Sequence, residues 1–196
     1  MLISVLFAGS VYALPAGGLA GFTGTEDFSY TANGWNMTGH IDYAVYEAAD
    51  WTGVFAPDAD YVYAYQVFND AGSVGIVDSL SVILSPGASL GSIGVEGVSG
   101  GVSPFFSYFS PDITNAQSSL YLFLPAFPGN SSGGFVDPGD KSFLLFFTSD
   151  DAPKMGQGVL SNQGITVSLP TVAPEPATIA LLGLGSLAVI RRRRSA

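Results

Sequence analysis

Short runs of apolar and aromatic residues, separated by turn-forming residues, recur along most of the chain. In the most regular run, Tyr61 to Phe68, three tyrosines alternate with Val62, Ala64 and Gln66. Because successive side chains of a strand point to opposite faces, both faces of this run carry apolar cover, with Gln66 as the polar exception. We therefore predict a strand in the centre of a sheet, ended by the Asn69-Asp70-Ala71-Gly72 turn.

Seven further segments of similar character predict strands, and clusters of Gly, Pro, Asn, Asp and Ser separate them. The segments are 38–46, 75–84, 92–98, 105–109, 119–124, 142–148 and 164–169. No stretch before the C-terminal tail keeps a helical period, and chains with many short strands build their core from packed sheets. The predicted fold class is all-β: a single β-sandwich, jelly-roll or immunoglobulin-like, followed by a short C-terminal transmembrane helix.

The C-terminal tail departs from the strand pattern. Ala177 to Ile190 is uncharged, and Arg191, Arg192, Arg193 and Arg194 follow directly. As a helix, the uncharged stretch would rise about 21 Å against a hydrocarbon core of roughly 30 Å. The arginine cluster is expected to stay in the cytoplasm, which places the residues before 176 on the exported side. Pro174 and Pro176 exclude the residues before them from the α region, so an extended junction is predicted.

The sequence Pro174-Glu175-Pro176, the apolar run and the arginine cluster together resemble the PEP-CTERM sorting signal. The resemblance implies a substrate of an exosortase, a membrane-embedded cysteine transpeptidase of Gram-negative-type bacteria that removes such tails. It also implies a precursor in the inner membrane and a final location at the cell surface or in the extracellular matrix. The alternative is an ordinary tail anchor in which Pro-Glu-Pro is coincidental.

The N-terminus has the features of an export signal. Residues 2–8 form an apolar segment, and Val11-Tyr12-Ala13 suits a signal peptidase, with cleavage expected after Ala13. No charged region precedes the apolar segment, so we expect the true start upstream of Met1; a buried N-terminal strand is the alternative. The predicted organisation is a signal peptide at 1–13, a β-sandwich ectodomain at 14–170 and the sorting signal at 171–196.

Composition and charge narrow the range of partners. The chain has no cysteine, which excludes a disulfide framework and thiol chemistry. Between residues 14 and 173, 15 acidic residues stand against two lysines and leave a net charge of −13. An anionic surface repels nucleic acid, so no nucleic-acid partner is expected, and divalent cations or neutral polysaccharide fit better.

One motif resembles a catalytic pattern. Gly87-Ala88-Ser89-Leu90-Gly91 matches the G-x-S-x-G pattern of a hydrolase nucleophile elbow. That elbow needs a helix after the serine and a histidine later in the chain, whereas a glycine-rich β stretch follows and the single histidine, His40, comes earlier. We therefore expect no catalysis at Ser89 and no enzyme activity.

Carboxylates concentrate in several predicted turns. The weak metal candidates are Asp58, Asp60, Asp137 and Asp140, and a further pair is Asp150-Asp151. Oxygen-rich loops of this kind can hold Ca²⁺, but none matches an EF-hand loop, and solvated turns explain them more simply. We expect no cofactor, with Ca²⁺ as the alternative.

Two classes of function remain. We expect a structural or adhesive component of the cell surface or matrix, and the alternative is a carbohydrate-binding module that acts on exopolysaccharide. Trp35 and Trp51 distinguish them, because exposure on one surface would let them stack on sugar rings. We expect both to be buried. A secreted hydrolase is a more distant third, which needs two carboxylates that converge in a pocket.

Overall fold

The computed structural model describes residues 14–32, 34–111, 117–124, 134–160 and 164–172, and these residues fold almost entirely into strands. The strands are β1 (Thr23–Ala32), β2 (Trp35–Glu47), β3 (Tyr61–Asn69), β4 (Ser79–Ile83), β5 (Leu90–Glu96), β6 (Gly101–Val102), β7 (Phe106–Pro111), β8 (Gln117–Leu122), β9 (Lys141–Ser142), β10 (Leu144–Ser149), β11 (Pro153–Leu160) and β12 (Ile165–Val172). A 3₁₀ turn at Ala48–Asp50 follows β2.

The strands form two sheets. The first has the order β1-β2-β3-β10-β5, with β9 beside β3 and β6 parallel to β9. The second has the order β12-β11-β4-β8-β7 and is antiparallel throughout. The predicted all-β class is confirmed at this level. Within the described ranges no helix has the length and apolarity to cross a membrane, and the predicted transmembrane helix lies outside them.

Strand β3 lies in the middle of the first sheet, between β2 and β10. Tyr63 and Tyr65 belong to the main core, and Ala64 belongs to a second apolar cluster on the opposite face. Gln66 is buried, and its Nε2 donates to the Ser142 carbonyl at 3.0 Å. The prediction of a central strand covered on both faces is therefore confirmed, and its polar exception is hydrogen-bonded.

The main core lies between the two sheets, and Phe147 of β10 contacts both of them. Its ring stacks on Tyr63 at 4.6 Å within the first sheet. It also meets Phe109 of β7 edge-on at 6.2 Å, across the space between the sheets. Phe147 has no exposed surface, so its contacts help to hold one sheet against the other.

The second apolar cluster covers the outer face of the first sheet. The loop between β2 and β3 folds back over this face, and Phe55 stacks on Phe146 at 3.7 Å. Trp51 meets Tyr46 edge-on at 5.1 Å in the same cluster. The loop therefore covers the part of the outer face that β2, β3 and β10 form, whereas β1 positions on that face, such as Ser29, are exposed.

Three features of the strand pattern differ from the sequence-based expectations. Strands β1, β6 and β11 were not predicted, and β11 contains two glycines, a residue type with low strand propensity. A Cβ on Gly158 would lie 2.5 Å from Leu169 Cδ1 of β12, so the missing side chain is what lets Leu169 pack there.

The segment 142–148 forms two strands because β9 ends at Ser142, whose hydroxyl accepts from the Val67 N–H at 2.9 Å. The segment 75–84 is shorter than expected: β4 begins at Ser79, and the residues from 72 to 75 are held as a loop by Asn36.

Candidate functional site

Trp35 is the first residue of β2, at the turn end of the β1–β2 hairpin. Gly34 precedes it with a φ of 81°, in the left-handed region that glycine adopts readily. The hairpin register then pairs Ala32 with Trp35. The Trp35 side chain is 57% exposed, so the expectation that it is buried is wrong. Its place at the end of the hairpin, rather than within the sheet, accounts for the exposure.

Trp35 lines a surface cleft of about 180 Å³. The other lining residues are Tyr30, Asn36, Met37, Gly75, Ile76 and Asp78. Pockets for drug-sized molecules have volumes of roughly 300–1,000 Å³, so this cleft suits a single ring-sized group. We call it the Trp35 cleft.

The wall of the Trp35 cleft is a loop that hydrogen bonds tie to β2. Asn36 Oδ1 accepts from the Val74 N–H at 3.1 Å, and Asn36 Nδ2 donates to the Gly72 carbonyl at 3.3 Å. The Ser73 hydroxyl donates to the Thr38 carbonyl at 2.9 Å and accepts from the Thr38 N–H. These bonds fix the position of the loop relative to the tryptophan.

Asn69 fixes the same loop from the other side. Its buried Nδ2 donates to the Gly75 carbonyl and to the Val136 carbonyl, each at 2.9 Å. Ile76, one residue beyond Gly75, lies in the cleft wall and is 36% exposed. The cleft is therefore preformed by the fold.

The Trp35 cleft combines an exposed indole with polar groups. Ile76 adds apolar surface, and Asn36 and Asp78 add an amide and a carboxylate. Asp78 also accepts a hydrogen bond from the Ser79 hydroxyl at 3.1 Å. Such a mixture suits an uncharged ring with an apolar face and hydroxyl groups at its edge. Of the residues that line the cleft, the sequence analysis identified Trp35 alone. Two signals could have identified others: Tyr30 lies in a segment with strand-like alternation, and Asn36 is adjacent to Trp35.

Trp51 is 8% exposed, and its expected burial is confirmed. It lies between Tyr46 and Phe55, and its Nε1 has no hydrogen-bond partner among the described residues. Because only Trp35 is exposed, the two tryptophans do not form a shared platform for sugar rings.

Asp58 attaches the loop between β2 and β3 to the sheet beneath it. Its carboxylate accepts from the Ser92 hydroxyl at 2.6 Å, from the Ser92 N–H at 3.2 Å and from the Thr148 hydroxyl. The Ser92 hydroxyl and then the Thr148 hydroxyl lower the pKa of Asp58 below its ordinary value, because they stabilise the charged form. The carboxylate, although exposed, is thus engaged by protein donors.

Ser89 is also held by neighbouring carboxylates. Its N–H donates to Asp151 Oδ2 at 2.6 Å, and its hydroxyl donates to Asp150 Oδ2 at 3.0 Å. Strand β5, not a helix, begins at the next residue, so the elbow geometry expected of a G-x-S-x-G nucleophile is missing here. His40 stacks on Phe68 at 4.5 Å in the first sheet.

The other acidic candidates lie in turns or at strand ends. Asp137 and Asp140 are exposed and belong to a turn in which the Asp140 N–H donates to the Asp137 carbonyl at 2.9 Å. Asp60 is exposed, and its N–H donates to Asp150 Oδ1 at 3.3 Å. Over the described part of the chain, no three or more His, Cys, Asp or Glu side chains come together in a group that could hold a metal ion.

The predicted processing residues lie outside the described residues. They are Ala13 at the N-terminus and Pro174, Glu175, Pro176, Arg191, Arg192, Arg193 and Arg194 at the C-terminus. The last described strand, β12, ends at Val172. A family model described as "PEP-CTERM protein-sorting motif" matches residues 172–194. The chain carries a PEP-CTERM sorting motif.

The PEP-CTERM motif begins at the residue where β12 ends. It marks an exported protein that an exosortase sorts at the membrane of a Gram-negative-type bacterium. No curated protein and no solved structure matched the chain. The motif therefore establishes how the protein is sorted, and the geometry of the folded part bears on what it does afterwards.

Proposed function

We propose that this PEP-CTERM protein is a non-enzymatic structural or adhesive component of the cell surface or extracellular matrix. The observation that carries the proposal is that the carboxylates of its polar clusters are engaged in hydrogen bonds within the chain. Asp58, Asp150 and Asp151 accept hydrogen bonds from serine, threonine and backbone donors of the chain. These carboxylates, which a hydrolase could use in catalysis, thus hold loops in place.

The proposal includes the route to the surface. After signal-peptide cleavage at Ala13, the apolar run 177–190 holds the precursor in the inner membrane, with the arginine cluster in the cytoplasm. Pro174-Glu175-Pro176 keeps the exported junction extended, as a protease substrate needs to be, and exosortase cleavage there releases the ectodomain.

A complementation experiment tests the structural role. A strain that lacks the gene should lose surface adhesion, and wild-type chain should restore it. A Ser89→Ala chain should restore adhesion equally, because the proposal gives the serine hydroxyl no catalytic role. Full expression of Ser89→Ala at the surface without recovery of adhesion, or normal adhesion of the deletion strain, would contradict the proposal.

A second candidate function is carbohydrate binding at the Trp35 cleft, and the exposed indole favours it. The expected ligand is a neutral polysaccharide, because the ectodomain is strongly acidic and would repel a polyanion. Native gel electrophoresis with neutral polysaccharide in the matrix tests this. Trp35→Ala should abolish retardation, whereas the control Val54→Ala, at an 84% exposed position outside the cleft, should not. Equal mobility of both variants and wild type would rule this candidate out.

A further inference from the structure

The outer face of the second sheet carries exposed aromatic side chains at its β7 side. The register pairs Phe106 with Leu122 and Tyr108 with Leu120. The residues between them on the two strands, such as Tyr121, point into the core, so these four side chains share the outer face. Phe106 is 51% exposed and Tyr108 is 41% exposed. We call Phe106, Tyr108, Leu120 and Leu122 the β7–β8 patch.

The patch continues across the sheet into uncharged residues. On β4, Ser79 pairs with Leu122 and Ser81 pairs with Leu120. Ile83 lies on the same face of β4 and is 38% exposed, and on β11 Val159 pairs with Ser81. The loop with Trp51 and Phe55 covers the apolar part of the first sheet's outer face, whereas among the described residues the β7–β8 patch keeps its aromatic side chains exposed.

Charge is distributed unequally between the two sheets. The five strands of the second sheet contain a single charged residue, Lys154 on β11. Acidic residues of the first sheet are Glu26, Asp27, Asp42, Glu47 and Glu96. Two copies of a chain with a net charge of −10 repel each other in most orientations, but approach through the second sheet brings no strand carboxylates together.

We propose that the outer face of the second sheet is a self-association surface, on which a second copy of this chain packs face to face around a two-fold axis. A two-fold contact uses the same face of both copies, so each apolar patch meets a surface that is equally uncharged. Stacked sheets lie about 10 Å apart, with their side chains between them. This inference goes beyond the proposed function, because it names a partner and does not depend on adhesion.

The size of the face sets the strength of the contact. Five strands about 4.8 Å apart, with five to eight residues of about 3.3 Å each, give a footprint of roughly 400–600 Å². A stable complex buries about 800 Å² per partner, so the contact is weak on its own. The pairs form mainly where the local concentration is high, as on a crowded cell surface.

Cysteine cross-linking on whole cells tests the proposal with the full chain, which has no natural cysteine. Ser81→Cys places one thiol on the middle strand of the face, and a bismaleimide of about 10 Å spans stacked sheets. Ser29→Cys is the control, because it places a thiol at an exposed position on β1 of the first sheet. We expect a cross-linked dimer for Ser81→Cys and none for Ser29→Cys.

A second experiment places a charge on the outer face of the second sheet and measures the yield of cross-linked dimer. Adding Tyr108→Lys to Ser81→Cys should lower the dimer yield about tenfold, as when a buried aromatic anchor is lost. Adding Val54→Lys, an equivalent change at an exposed position outside the face, should leave the yield unchanged. Surface levels of each variant confirm folding and export.

Three results would overturn the proposal. One is no dimer from Ser81→Cys, and another is equal dimer yields from Ser81→Cys and Ser29→Cys. The third is a Tyr108→Lys effect on retention by neutral polysaccharide with no effect on cross-linking, which would assign the face to sugar binding. None of these results depends on the adhesion phenotype, so failure here is distinguishable from failure of the structural role.

Discussion

Replacement of Phe147 by alanine tests whether the contact between the two sheets holds the fold together. Phe147 is fully buried, stacks on Tyr63 and reaches Phe109 of the other sheet. The substitution removes an aromatic ring from the place where the sheets meet. Its neighbours belong to strands fixed in their ladders, so they cannot fill the space by a local shift.

The size of the effect follows from the burial. A buried aromatic side chain hides about 150–250 Å², which at about 25 cal/mol per Å² gives an upper bound of roughly 4–6 kcal/mol. Measured costs of Phe→Ala in cores are about 3–5 kcal/mol, and we expect Phe147→Ala to lie in this range. At about 2–4 °C per kcal/mol for a domain of this size, the thermal midpoint should fall by roughly 6–20 °C.

Urea and thermal unfolding of the protein recovered from the cell surface provide the measurement. Phe106→Ala is the matched control, because it deletes the same ring from a half-exposed position and, at dilution, should change stability by less than about 0.5 kcal/mol. Equal midpoints for Phe147→Ala and Phe106→Ala would refute the two-sheet core described here.

Three further predictions concern buried and charged groups. Burial raises the pKa of four tyrosine hydroxyls, those of Tyr46, Tyr63, Tyr65 and Tyr121. Since tyrosine in the unfolded chain ionises near pH 10, the stability that these four hydroxyls contribute should be complete below that pH and be lost as pH rises above it; circular dichroism should be lost together with the part of the tyrosinate absorbance that comes from the buried hydroxyls. The lowered pKa of Asp58 means that its stabilisation is lost as pH falls below about 4, so urea melts of Asp58→Asn between pH 3 and pH 6 should show a weaker acid dependence than wild type. Asn69→Ala should cost about 1–3 kcal/mol in urea unfolding, because it removes the amide donor from the buried Gly75 carbonyl, whereas the Val136 carbonyl still accepts from the Val77 N–H.

The strand content of the fold was largely predictable, and the reason is the regular alternation in runs such as Tyr61 to Phe68. Strand β11 was not predictable from propensity. Gly156 and Gly158 lower the strand propensity of the segment, but β12 side chains occupy the space that a Cβ at either position would need. The division of the segment 142–148 into two strands at Phe143 was not predictable either. It depends on the hydrogen bond from the Val67 N–H to the Ser142 hydroxyl, and these residues are 75 positions apart.

The candidate site was only partly predictable. A tryptophan signals a binding surface by its residue type, but whether it is exposed depends on its place in a hairpin and on a distant loop. That loop is held by Asn36 and Asn69. Asn36 is marked in the sequence only by its place beside Trp35, and Asn69 lies more than thirty residues further along the chain. The sorting motif was fully readable, because its proline junction, apolar run and arginine cluster act through local properties of the chain.

Mass analysis of the C-terminus of the surface-located protein tests the central claim most directly. The wild-type protein at the surface should lack Arg191 to Arg194, and a chain with Pro174-Glu175-Pro176 replaced by alanines should remain in the inner membrane at full length. Alanine restores the N–H donors and the α region that proline denies, so we expect a helix in place of the extended junction that the sequence predicts. Recovery of surface protein that retains the arginine cluster, or normal release of the alanine variant, would contradict exosortase processing at this junction.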